Sequence, residues 1–289
     1  MKVLVIGSGG MLGHMLTLYL KANKEFSVTN ISKRNCWLPD TILMDALDYD
    51  TFHSFLKNED FDAIINCAAL LVSASEKNKS KSILLNAAFP HLLEEWTSGS
   101  NTRVIQISSD GVFNGDKAPY QIDDNPDGRI FYAGTKILGE LHNSKDLTIR
   151  GSFIGPELKE SGIGLFHWFL HQEGNVKGYK NVIFNGITSL QCAKAIEHIL
   201  LHSVTGCIHL GALQPVSKGK LLTLIAECWG IDKVKIEQTA FLQSNHTLAQ
   251  LYNPDGYDLP DYPIMLEDMK KWMEKNSQYY ANYDLGNRR

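Results

Sequence analysis

The chain has 289 residues, 44% of them hydrophobic and 21% charged, enough to bury a sizeable core in one or two subdomains. Its net charge of −4 supplies no basic field, so neither nucleic acid nor an anionic membrane is an expected partner, and an anionic ligand must be held by local groups. Five widely spaced cysteines (Cys36, Cys67, Cys192, Cys207 and Cys228) form no Cys-x-x-Cys pair, which argues against a zinc site or disulfide framework and for free thiols in a reducing cytoplasm.

In chain order, 3–6 read as a strand and 11–22 as a helix with apolar spacing. The strand is too short for a secretory signal, and no apolar run in the chain is long enough for a membrane span. Between strand and helix, Gly7, Gly10 and Gly13 fall at three-residue intervals. The first lets the chain turn sharply off the strand, and the second lets backbone approach a pyrophosphate. The third lets the helix pack on the sheet with its first N–H groups aimed at the phosphates. The pattern predicts a dinucleotide site that includes Met11 and Leu12; a plain strand–turn–helix is the alternative.

A second strand is predicted over 26–31. Its end decides cofactor choice, because a carboxylate there accepts from the ribose 2′-OH of NAD and a cation accommodates the 2′-phosphate of NADP. Ser32-Lys33-Arg34 offers two cations and no acid, so NADP(H) is preferred and NAD(H) remains possible; a solvated turn is the alternative for Lys33 and Arg34. The pattern then predicts a helix over 49–56, a strand over 63–66, a helix over 84–97, a strand over 103–107, a helix over 133–143 and a strand over 147–150. This alternation predicts an α/β fold, a Rossmann-type doubly wound parallel sheet with ligands beyond the carboxyl ends of its strands.

After Arg150 the texture changes, and Gly, Pro and aromatic residues crowd 151–179. Helices are predicted over 190–201, 218–229 and 267–274 and a strand over 207–210, with a loop at 255–263 and a loosely ordered end at 281–289. Residues 1–150 are expected to form the NAD(P)-binding domain. Residues 151–289 are expected to form mainly a smaller α/β substrate lobe, with the chain returning to the first domain around 185–212.

Tyr132 and Lys136 stand four residues apart on one helix face. That spacing suits a proton-donating phenol beside an ammonium, which favours the phenolate and lowers the tyrosine pKa; a helix-surface pair is the alternative.

Together these residues resemble the extended short-chain dehydrogenase/reductase family, and within it the dTDP-4-dehydrorhamnose reductase group. The family's Gly-x-x-Gly-x-x-Gly matches Gly7, Gly10 and Gly13, and its Asn-x-Ala-Ala matches Asn66-Cys67-Ala68-Ala69. Its Ile-Ser-Thr-Asp-Tyr-Val-Phe matches Ile107 to Phe113, and its Tyr-x-x-x-Lys with a following Glu matches Tyr132, Lys136 and Glu140. Arg150-Gly151-Ser152 resembles its later Arg-x-Ser, and Gly206 to Leu210 its Gly-x-x-His-Leu strand. Ser109 stands for the group's Thr and Gly111 for its Tyr, and Leu70-Leu71-Val72-Ser73 is unusually apolar. The group's C-terminal Arg-Pro pattern is not evident around Tyr252 and Pro254.

The resemblance implies that Tyr132 is the general acid/base, that Lys136 holds the nicotinamide ribose and tunes Tyr132, and that Ser109 donates to the reacting carbonyl oxygen. It implies cofactor contacts at Asp45, Ala46, Cys67, Ala68, Ala69 and Asn86, although Asp45 equally suits a helix cap. It implies substrate contacts at Val72, Ser73, Asp110, Gly111, Val112, Phe153, Asn185 and Thr188, although Thr188 equally suits an N-cap. No metal is expected, and His167, His171 and His209 read as packed or surface residues. The implied activity is NADPH-dependent reduction of a 4-keto-6-deoxy nucleotide sugar for surface polysaccharide, in the cytoplasm, by a family whose members are often homodimers. A nucleotide-sugar epimerase or dehydratase and a non-catalytic NADP-binding regulatory subunit are the alternatives.

Overall fold

The structure, a computed structural model, describes residues 1–34 and 38–285. Cys36 and the last four residues of the segment read as loosely ordered therefore lie outside the described residues. The first half contains β1 (Lys2–Ile6), α1 (Met11–Lys21), β2 (Ser27–Ser32), β3 (Thr41–Leu43), α2 (Tyr49–Lys57), β4 (Ala63–Asn66), α3 (Val72–Lys77) and α4 (Lys79–Ser82). A π-helical segment (Ile83–Ala88) then leads into α5 (Phe89–Trp96), followed by β5 (Arg103–Ile107), a 3-10 turn (Asp110–Val112), α6 (Phe131–Leu138) and β6 (Leu147–Gly151). The second half contains β7 (Phe153–Ile154), α7 (Leu165–Leu170), β8 (Gly174–Phe184), β9 (Ile187–Thr188), α8 (Ser189–Leu201), β10 (Gly206–Leu210), β11 (Val216–Ser217), α9 (Lys218–Trp229), β12 (Val234–Asn245) and α10 (Tyr262–Lys275).

Seven parallel strands form the central sheet in the order β10-β6-β5-β4-β1-β2-β3. This is a Rossmann-type α/β sheet. Its inner strands are apolar on both faces because both faces are covered. Val3 and Val5 pack into one core with Met15, Leu16 and Ile196, while Leu4 and Ile6 pack into another with Phe52, Phe89 and Leu93, the two-residue alternation of a strand. The first core continues without a break into the second half through Phe166, Leu221, Ile225, Met269 and Tyr280. The second half carries a three-stranded sheet, β11-β8-β12, and a two-stranded one, β7-β9, while β10 lies in the central sheet beside β6.

Several elements differ from the sequence reading. The helix expected over 133–143 ends at Leu138, with Gly139 as its C-cap, packed so closely on the π-helical segment that a Cβ there would overlap the Asn86 carbonyl. The helix expected to start at 267 starts at Tyr262, with Asp261 accepting from the Ile264 N–H at 3.2 Å and Pro263 in the first turn. The long strands β8 and β12 carry mixed polar faces in a half-exposed sheet, so no clean alternation marked them. The segment read as loosely ordered holds Tyr283 in the core, next to fully buried Tyr280. Among the described residues no helix is long and apolar enough to cross a membrane.

Candidate active site

The glycine turn leaves β1 at the point where the sheet order reverses, between β1 and β4, where open α/β sheets form a crevice. Gly7 has φ +83°, and a Cβ there would lie 2.8 Å from the Ala68 nitrogen. A Cβ on Gly13 would overlap the Gly7 carbonyl, so α1 crosses the turn at backbone contact. The result is a cradle of bare backbone at a helix N-terminus, which suits a pyrophosphate. It opens into a cleft of about 730 Å³, within the range of cofactor sites. Of the expected cofactor residues, Gly7, Gly10, Met11, Leu12, Gly13, Ser32, Lys33, Arg34, Asp45, Ala46, Cys67, Ala68, Ala69, Tyr132 and Lys136 line this cleft.

At the end of β2, Lys33 and Arg34 are exposed, and the Lys33 ammonium pairs with the Asp45 carboxylate at 2.5 Å. Partial burial pushes the Asp45 carboxyl up, and Lys33 with the Leu47 N–H more than offsets this, leaving the pKa lowered. Asp45 is not the helix cap: Asp48 caps α2, accepting from Thr51 N–H at 3.3 Å.

Tyr132 and Lys136 share α6, and Ser109 follows β5; all three line the cleft. The Lys136 ammonium is buried and donates to the Ile107 carbonyl at 2.7 Å. Burial lowers its pKa to about 8, against the pull of the Glu140 charge. The expected lowering of the Tyr132 pKa does not occur: burial raises it to about 12, opposed by a hydrogen bond with Ser109 and reinforced by the Asp110 charge. The Ser109 hydroxyl accepts from the Gly111 N–H at 3.0 Å and donates to the Asp110 carboxylate at 3.3 Å. Behind this group, Arg150 and Glu140 form a pair exposed by only 4% and 1%, at 2.7 Å, and Ser108 donates to the same carboxylate.

The expected substrate residues divide. Phe153 lines the cleft. Gly111 lies beside Ser109 and Tyr132, since its Cβ would stand 3.2 Å from Ser109 Oγ and 3.8 Å from Tyr132 Cε1. Asp110 lies near His246 and Lys218 of the second half, and burial raises its pKa against their opposing pull. Val112 instead belongs to a small core with Phe113 and Tyr120. Val72 and Ser73 begin α3, and Leu70, Leu71 and Ala74 line the cleft in their place. Asn185 is a buried strut, donating to the Ala212 and Leu248 carbonyls and accepting from the Leu248 N–H. Thr188 is the N-cap of α8, accepting from Gln191 N–H at 3.1 Å. Asn86, read as a cofactor contact, is fully buried and clamps both backbone groups of Leu70. His167, His171 and His209 bond Tyr283, the Asn282 carbonyl and the Ala249 carbonyl.

Sequence reasoning missed the segment from Glu157 to Gly164, of which Glu157, Leu158, Lys159, Ser161, Ile163 and Gly164 line the cleft. It carries no periodicity, and only the course of the chain after β7 brings it over Met11.

Among known proteins, the RmlD substrate binding domain family matches residues 1–152. The chain belongs to this family. A dTDP-4-dehydrorhamnose reductase of Mycolicibacterium smegmatis is 30% identical over 142 residues, which are 48% of this chain and 40% of that protein. The chain thus spans less than half the length of that relative. Methionine adenosyltransferase 2 subunit beta of Pongo abelii is 28% identical over 257 residues, 80% of this chain and 72% of that one. Among solved structures, a dTDP-4-dehydrorhamnose reductase of Bacillus anthracis in complex with NADP has a TM-score of 0.76 at 20% identity, covering 94% of this chain and 99% of its own; at that identity the likeness is one of fold.

Proposed function

We propose that the chain is an NADPH-dependent reductase of a nucleotide-linked 4-keto-6-deoxysugar, making an activated sugar for surface polysaccharide. The observation that carries this reading is the convergence of Ser109, Tyr132 and Lys136 on the cleft that begins at the glycine turn. NADP(H) fits the bare-backbone cradle at Gly7 and Gly13 and the two cations at the end of β2. When bound, its nicotinamide supplies the hydride. The phenol of Tyr132, held protonated at neutral pH by a pKa of about 12, is in the right state to give its proton to the carbonyl oxygen. Ser109 turns its one hydrogen from the Asp110 carboxylate to the same oxygen and stabilises the developing charge. Lys136 keeps a positive charge against the site at neutral pH, its pKa near 8. The reductase branch of the family supports a sugar nucleotide as the carrier of the carbonyl.

The test follows NADPH absorbance with a panel of 4-keto-6-deoxy nucleotide sugars, with Tyr132→Phe as control. Oxidation by one of them is expected, reduced about 10²–10⁴-fold in the variant with cofactor affinity within two-fold. Wild-type-like turnover by Tyr132→Phe would remove the assignment. One observation favours a second reading, a cofactor-binding subunit of another enzyme: the subunit-beta relative covers far more of this chain than the reductase does. Cofactor binding without turnover of any sugar nucleotide, together with a co-purifying partner, would decide for it.

A further inference from the structure

Two tyrosines from the segment after α10 reach the two opposite walls of the cleft. The fully buried Tyr280 places its hydroxyl 3.2 Å from His14 Nε2, and His14 Nδ1 stands 2.9 Å from the Gly10 carbonyl. A carbonyl only accepts, so Nδ1 carries the hydrogen and Nε2 accepts from Tyr280. This arm ends on the glycine turn itself.

The second arm ends on the facing wall. The Tyr283 hydroxyl accepts from the Glu157 N–H at 2.7 Å and stands 2.7 Å from His167 Nδ1. His167 Nε2 reaches the Glu160 carbonyl at 3.0 Å, and the Asn282 amide donates to the Glu157 carbonyl at 3.1 Å. The Glu157 carboxylate in turn accepts from the N–H groups of Ile163 and Gly164 at 2.8 and 2.6 Å. The wall so held lies over the start of α1: a Cβ on Gly164 would be 3.8 Å from Met11 Sδ.

We infer that residues 280–283 are a two-armed brace that sets the spacing of the cofactor cleft, with Tyr280 and Tyr283 as positioning residues for NADP(H). The inference rests on the cofactor reading above for its ligand, and on hydrogen-bond geometry for the brace itself. Neither phenol lines the cleft; each acts through a histidine or the backbone of a wall. The two arms meet at their base, where the Tyr283 N–H donates to the Tyr280 carbonyl at 2.9 Å and the two rings stand 6.4 Å apart, so they act as one coupled unit.

The experiment compares Tyr280→Phe, Tyr283→Phe and the double variant with Tyr257→Phe. Tyr257 is also buried, and its hydroxyl accepts from Gln191 at 3.1 Å away from the cleft, so it reports the general cost of losing such a hydroxyl. NADPH affinity should weaken about 2- to 10-fold in each brace variant, the size of one hydrogen bond, and in the double variant by at least as much as in the weaker-binding single one. The control should stay within two-fold at a similar loss of melting temperature. Brace variants no weaker than the control would overturn the inference. Amide exchange without cofactor provides a second readout: Tyr283→Phe should speed exchange at Ile163 and Gly164, and Tyr257→Phe should not. If the wild type binds no NADPH, the cofactor reading fails and exchange alone judges the brace; unchanged exchange in Tyr283→Phe then overturns it.

Discussion

Acid should loosen this protein through one buried imidazole. His14 is fully buried on α1, and burial lowers its pKa from 6.5 to about 4 against the help of its bond to Gly10. Between those values the unfolded chain binds a proton that the folded chain refuses, so stability falls as pH falls. The loss begins near pH 6.5 and is complete near pH 4. The difference in proton affinity between the folded and unfolded imidazole corresponds to about 3 kcal/mol, a large share of the stability of an ordinary domain. The assay is urea unfolding at a series of pH values for wild type and His14→Gln, which cannot take up the proton. Other groups have shifted pKa values too, among them His91 and Asp110, both raised, and His198 and His209, both lowered by burial, but they contribute to both proteins and drop out of the difference. The difference between the two proteins should therefore shrink by about 3 kcal/mol from pH 6.5 to pH 4 and level off below. Parallel curves across that window would refute the argument that His14 is held neutral by burial.

Other outcomes follow from the same geometry. Ser109→Ala should lower kcat of the proposed reduction by about 10²–10³ while NADPH affinity is unchanged; an equal loss in affinity would mean that Ser109 serves the cofactor. Glu140→Gln should destabilise the fold by about 3–5 kcal/mol in a denaturant titration, because it strands the buried Arg150 guanidinium without its anion; a loss under 1 kcal/mol would mean that the pair is solvated. Burial holds the Lys136 pKa near 8 rather than 10.5, so the folded chain binds fewer protons between those values and stability should rise with pH across them. Lys136→Met should flatten that rise, and a wild-type slope in the variant would assign it to another group.

Much of the first half could be read locally. β1, its glycine turn and α1 are contiguous, and the bare backbone that a phosphate site needs is spelled by three glycines within seven residues. Tyr132 and Lys136 were likewise legible, because a helix puts residues four apart on one face wherever it lies. Asn86 shows where this stops. Its place in the chain suggested a cofactor contact, yet its amide is closed by Leu70, Ser82 and Thr135, partners up to 49 residues away. Thr188 and Asp45 each had two readings of equal local merit, a cap or a ligand contact, and only partner geometry makes Thr188 a cap and gives the cap of α2 to Asp48 rather than Asp45.

By itself, then, the sequence determined what short-range sterics and periodicity control: a parallel α/β sheet, a phosphate-sized turn after its first strand, and a phenol and ammonium on one helix. The tertiary structure decided what depends on burial and on distant partners. Desolvation, which no residue pattern encodes, turned the Tyr132 pKa upward. The packing of Tyr280 and Tyr283 turned a polar-looking end of the chain into a support for both cleft walls. Their role is set by His14 and Glu157, which lie 266 and 126 residues away along the chain, and neighbours that far apart meet only when the whole core has formed.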